Sequence, residues 1–118
     1  MTGIDIIEIA RIAEATKKEA FVKKVFTVSE QEYFQRNGSR AQTYAGMFAA
    51  KEAVAKAFKT GFNNFKHTDI EILRGELGAP YVKLHNQAVE IFKMTGKQNL
   101  EISISHCQEY AAAVCVID

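Results

Sequence analysis

The sequence predicts an α+β fold in which a mostly antiparallel sheet packs against one long helix. Three observations carry that class. An apolar stretch of helical period runs from about Arg40 to Lys59. Short segments of period two lie on either side of it, Gly3 to Ile7 before and Ile70 to Ile72 after. Two more strand-like runs, Leu100 to Ser105 and Tyr110 to Ile117, close the chain as a hairpin around Cys107-Gln108-Glu109.

The opening strand places Ile4 and Ile6 on one face and Asp5 on the other. From about Glu8 the spacing of Ile9 and Ile12 turns helical. Thr27-Val28-Ser29-Glu30 is a capping box, so a helix should run from there to about Arg36 and end at Asn37-Gly38-Ser39. The long helix should stop at Thr60-Gly61. Ile70 and Ile72 alternate with Glu71 as a strand, and Gly75 to Pro80 form a loop with the proline in its turn. Tyr81 to Leu84 return as the paired strand. Asn86 can cap a short helix carrying Ala88, Val89, Ile91 and Phe92, which Gly96 terminates.

A chain of 118 residues suits one domain, residues 1–118, with a small core to which oligomerisation could add buried surface. Its net charge of +1 excludes a broadly basic nucleic-acid binder but not a local basic patch. Cys107 and Cys115 form no CxxC pair and read as reduced thiols. No apolar run is long enough to span a membrane. The first apolar run carries Asp5 and Glu8, unlike a signal peptide, so the expected compartment is the cytoplasm.

Two carboxylates stand in apolar stretches, Asp5 in GIDIIEIARI and Glu52 in FAAKEAVAKAF. A lone carboxylate there is unfavourable unless something compensates it. Two carboxylates with substrate phosphates and water make a Mg²⁺ site. With the ISISH segment, they point to an enzyme that moves a phosphate-linked group. Each also has a plainer reading. Asp5 could face solvent from a strand whose other face is apolar. Glu52 and Lys56 could be a surface pair four residues apart, worth a few tenths of a kcal/mol.

On the long helix, Tyr44, Met47, Val54, Ala55 and Phe58 form one stripe, with Lys51 near its middle. The Lys51 stem should pack there while its ammonium reaches out. Gly46 suggests close packing against another backbone, or is simply tolerated at up to about 1 kcal/mol. His106 continues the Leu100, Ile102, Ile104 face and could be a core-edge histidine. Ser103 and Ser105 project from the other face with Glu101, where they could be mere polar surface.

Taken together, GIDIIEIARI, FAAKEAVAKAFKTG, the pair DIEI and GAPYVKL, and ISISHCQEYAAAVCVI resemble the holo-acyl-carrier-protein synthases, small bacterial phosphopantetheinyl transferases. The resemblance covers nearly the whole chain and implies the 4′-phosphopantetheinyl transferase fold. It implies Mg²⁺-dependent transfer of the 4′-phosphopantetheine arm from coenzyme A to a serine of apo acyl carrier protein, releasing adenosine 3′,5′-bisphosphate, for fatty acid biosynthesis. Asp5 and Glu52 would hold the Mg²⁺ and, with Lys56, form the catalytic set. Lys51, Lys56, Gly78, Pro80, Ser105 and His106 would lie around CoA. Arg11 would meet the acidic carrier, and a homotrimer would bind CoA between subunits.

Two features depart from the family pattern. Met1 stands where a further glycine is common before the aspartate, so the leading strand looks shortened. Met47 stands where the central signature often carries arginine, and Arg40, Lys51 or a neighbouring subunit could supply that phosphate contact.

The chemistry fits phosphoryl transfer, which needs positioning and charge neutralisation above all. Glu52 or a water on the ion would accept the serine proton. Residues 10–26 carry Arg11, Lys17, Lys18, Lys23 and Lys24 against Glu14 and Glu19, a local charge of +3. That segment is either a docking face for the acidic partner, with Arg11 and Lys18 its contacts, or an ordinary solvated helix face. Two other classes compete: a non-catalytic CoA- or nucleotide-binding module, and a structural oligomerisation domain, which would leave Asp5 and Glu52 unexplained.

Overall fold

A computed structural model describes residues 1–118. In chain order the elements are β1 (Thr2–Glu8), α1 (Ile9–Ala15), α2 (Glu19–Val25), α3 (Val28–Arg36) and α4 (Ala41–Phe58). After a 3₁₀ turn at His67–Asp69 come β2 (Ile70–Arg74), β3 (Pro80–Leu84), α5 (Gln87–Met94), β4 (Leu100–His106) and β5 (Tyr110–Ile117). The α+β class holds, and every strand pairing is antiparallel. The strands form two sheets, one ordered β1-β5-β4 and the other the β2-β3 hairpin. Helix α4 lies across β1 and β5.

The α4 stripe is wider than its periodicity suggests. Ala45, Ala49, Ala50, Ala53 and Ala57 are as buried as Tyr44, Met47 and Val54. These alanines form a second buried flank beside the stripe and let neighbouring elements press close to the helix. At Gly3 the approach reaches its limit: a Cβ there would lie 2.0 Å from the Ala53 carbonyl oxygen and 2.6 Å from the Ala57 nitrogen. Close backbone packing therefore falls at Gly3. At Gly46 a Cβ would meet only the Ile104 side chain, at 3.0 Å.

Several local expectations are corrected. The long helix ends one residue before the expected stop, because Lys59 itself takes the left-handed cap at φ 65°. Pro80 opens β3 rather than sitting in the turn; at the first strand position its missing N–H is harmless. Asn86 occupies the N-cap position of α5, but its side chain donates to Asp69 Oδ1 at 2.8 Å instead of capping. Glu71 is buried along with Ile70 and Ile72, so β2 is covered on both faces. Helix α2 falls within residues 10–26, a segment the sequence marks only as one charged face, without a separate helix.

The capping box is present: the Glu30 N–H donates to Thr27 Oγ1 at 3.2 Å, and the Thr27 N–H to Glu30 Oε1 at 2.8 Å. Glu30 does more than cap. Its Oε1 lies 2.8 Å from Lys51 Nζ, and its Oε2 accepts the Ile72 N–H at 2.7 Å. Lys51 Nζ also donates to the carbonyls of His67 (2.9 Å) and Ile70 (2.7 Å), so all three of its donors are engaged. The reading of Lys51 as an outward ammonium is thus wrong: both side chains of the pair are 0% exposed. Burial pushes the Glu30 carboxyl up and the Lys51 ammonium down from their ordinary values, and each charge opposes the other's shift.

Candidate active site

The opening strand presents the opposite face from the plainer reading of Asp5. Asp5 pairs with Ala113 and shares its buried, helix-facing side, while Ile4 and Ile6 point outward at 68% and 66% exposure. Turned inward, Asp5 lies against α4, with its side chain 14% exposed. Gly3 permits that approach. Lys56 Nζ donates to Asp5 Oδ1 and to the Ile4 carbonyl, both at 3.0 Å. The surface pair expected between Glu52 and Lys56 is not made; Lys56 bridges to β1 instead.

Glu52 is thereby left free of lysine. Asp5 and Glu52 line one cavity of about 380 Å³, with Arg11 on its rim and Ile12, Phe21 and Phe48 in its apolar wall. Glu52 Oε2 lies 3.6 Å from His67 Nε2. No cluster of three or more His, Cys, Asp or Glu side chains is present. Two carboxylates opening on a cleft suit Mg²⁺, which takes one or two protein carboxylates and fills its octahedron with water and phosphate oxygen. The donor chemistry therefore fits the ion implied by the resemblance.

A second cavity, of about 340 Å³, gathers His106, Arg40, Arg74, Tyr33 and Ile104. The Arg74 guanidinium lies 5.3 Å over the Tyr33 ring, and its Nη1 donates to the Gly78 carbonyl at 3.4 Å. Its Nε is buried without a partner. Pro80 pairs with Arg74 across the hairpin. His106, Gly78 and Pro80 thus gather around Arg74, away from the cleft of Asp5 and Glu52. Within one chain, the two groups of expected residues do not share a cavity.

Ser105 pairs with Ala112 on the outer face of the sheet, beside the Ile6 pairing, and lines neither cavity. Lys51 is in the core. Arg11 and Lys18 are exposed and carry no ion pair, whereas Lys17 pairs with Glu14 and Lys23 with Glu19. Sequence reasoning missed His67, Arg74 and Tyr33. His67 opens an irregular turn, where no periodicity marks a side chain. Arg74 ends a strand, where an arginine reads as surface.

Residues 1–115 match the 4′-phosphopantetheinyl transferase superfamily. The chain belongs to that family and is an enzyme of it. Among its relatives, it is 48% identical to the holo-[acyl-carrier-protein] synthase of Fusobacterium nucleatum over 98% of this chain and 95% of that one. It is also 48% identical to the enzyme of that name from Alkaliphilus metalliredigens, over 97% and 94% of the two chains. Its fold is similar to that of the Helicobacter pylori holo-[acyl-carrier-protein] synthase in complex with coenzyme A, with a TM-score of 0.88, 34% identity and full coverage of both chains. No helix is long and apolar enough to cross a membrane.

Proposed function

We propose that residues 1–118 act as one holo-[acyl-carrier-protein] synthase domain. The reaction moves 4′-phosphopantetheine from coenzyme A to a serine of apo acyl carrier protein and releases adenosine 3′,5′-bisphosphate. It would serve fatty acid biosynthesis in the cytoplasm. The observation that carries this reading is the meeting of Asp5 and Glu52, 47 residues apart in sequence, at one cleft, with Lys56 paired to Asp5, in a chain of this family.

Asp5 and Glu52 would hold Mg²⁺. Bound there, the ion supplies charge neutralisation on the diphosphate and stabilises the leaving phosphate. Lys56 is tied to Ile4 and Asp5 and keeps one N–H unused, which would meet charge that grows in the transition state. The serine Oγ forms the new bond to the pantetheine-bearing phosphorus, and the bond from that phosphorus to the bridging oxygen of the nucleotide breaks. Glu52 takes the serine proton, directly or through water. The apolar wall of Ile12, Phe21 and Phe48 suits the uncharged pantetheine arm.

His106, Arg40 and Arg74 suit the nucleotide's phosphates but line a different cavity. A second copy supplying that cavity to the first copy's cleft would complete the site. The outward Ile4 and Ile6, with Val116 at 38% exposure, give an apolar sheet face for such an assembly, consistent with a trimer. Arg11 and Lys18, which form no ion pair within the chain, suit an acidic carrier.

The test is to mix the protein with Mg²⁺, CoA and several apo carrier proteins, then weigh the carriers. A gain of one phosphopantetheine arm, lost when Mg²⁺ is chelated, is expected. No gain on any carrier would favour a non-catalytic CoA-binding module.

A further inference from the structure

We propose that His67 is the positioning residue of the Glu52 carboxylate, holding one of its oxygens so that the other faces the cation. The proposal rests on the reading of Glu52 as a cation ligand. The Glu52 carboxylate accepts no hydrogen bond from the chain, and the one ionisable group paired with it is His67, whose Nε2 lies 3.6 Å from Oε2. A shift of about 0.5 Å closes that contact into a hydrogen bond.

The imidazole has little freedom to turn away. It stacks on Phe62 at 3.8 Å and 16°, and lies nearly parallel to Phe48 at 5.7 Å and 13°. Its backbone is fixed as well, because the carbonyl accepts the buried Lys51 ammonium at 2.9 Å. The turn that carries it is closed by Asp69, whose N–H donates to the Lys66 carbonyl and whose Oδ2 accepts the Lys66 N–H, both at 3.0 Å. Stacking and backbone together hold the plane of the ring, and in that plane Nε2 is the atom that faces Glu52.

A neutral imidazole carries one N–H, and an anion facing Nε2 selects the tautomer with the proton there. Oε2 is then engaged, and Oε1 is left for the ion. This is the arrangement by which a neighbour of a ligand fixes its orientation and raises metal affinity. The competing role is aromatic packing alone. A phenylalanine would fill that role equally well, so the two are separable.

Two measurements decide. In ¹⁵N-histidine spectra of the wild-type protein at about pH 8, His67 should appear as the Nε2–H tautomer. The Nδ1–H tautomer overturns the proposal, and this readout needs no variant to fold. Mn²⁺ binding in the presence of CoA, followed by electron paramagnetic resonance, should weaken about tenfold in His67→Phe and recover in His67→Gln, whose amide can donate. CoA binding without metal should be unchanged. Wild-type Mn²⁺ affinity in His67→Phe overturns the proposal. Failure of the underlying reading has its own signature: Glu52→Gln would bind Mn²⁺ as tightly as wild type.

Discussion

Lys51 Nζ and Glu30 Oε1 form a fully buried ion pair, 2.8 Å apart, that ties the middle of α4 to the first turn of α3. Removing one partner of such a pair leaves an uncompensated charge. Lys51→Met should therefore lower stability by about 3–5 kcal/mol in urea unfolding. Adding Glu30→Gln should recover part of that loss, since the amide oxygen can still accept the Ile72 N–H. CoA affinity per folded molecule should be retained in Lys51→Met, because the lysine touches neither cavity. A specific loss of CoA affinity with stability unchanged would restore the phosphate-contact role that burial denies it.

Gly3 and Gly46 should respond oppositely in severity to the same substitution. Gly3→Ala drives a methyl into the backbone of Ala53 and Ala57, so β1 must lift from α4 and carry Asp5 with it. We expect loss of at least about 3 kcal/mol, beyond ordinary overpacking, together with loss of activity. Gly46→Ala meets only a movable Ile104 methyl and gains up to about 1 kcal/mol of helix propensity, so it should be near neutral. Thermal unfolding of the two variants side by side checks this.

Glu71 should contribute to the acid limb of stability. Burial raises its carboxyl, but hydrogen bonds from Thr27 Oγ1 (2.5 Å) and His85 Nε2 (3.1 Å) outweigh that and hold it below its ordinary value of 4.5. In the unfolded chain the group takes up its proton first as pH falls. Its stabilisation is therefore complete above 4.5 and disappears as pH drops through the lower folded value. The stability gap between wild type and Glu71→Gln should be full at neutral pH and shrink in acid. A gap independent of pH would contradict the assignment.

The two cysteines should differ sharply toward alkylation. Cys107 is exposed at the β4–β5 turn, while burial pushes the Cys115 thiol up to about 12. Iodoacetamide at neutral pH should add one label per native chain, at Cys107, and a second only after unfolding.

The parts of the fold legible in the sequence were those with a period or a local signature. The α4 stripe, the Thr27–Glu30 box, the β2–β3 pair and the closing hairpin all fell close to their observed places. The reversed face of β1 was not legible. Ile4 and Ile6 look like core by composition, and only the packing of Gly3 on α4 turns them outward. Lys51 was misread because its partner Glu30 is twenty-one residues away, and a capping glutamate gives no sign of a second role. Asp5 and Glu52 were found because an acid in an apolar stretch needs a reason. His67 gives no such signal until the fold sets it against Glu52.

The central claim is that the carboxylates at positions 5 and 52 grip a single divalent cation together with the diphosphate of CoA. An anomalous difference map from crystals grown with Mn²⁺ and CoA tests it directly. The expected result is one strong peak within bonding distance of Asp5 and Glu52 and of two phosphate oxygens. A diphosphate bound with the manganese elsewhere, or with the two carboxylates facing separate clefts, would contradict it.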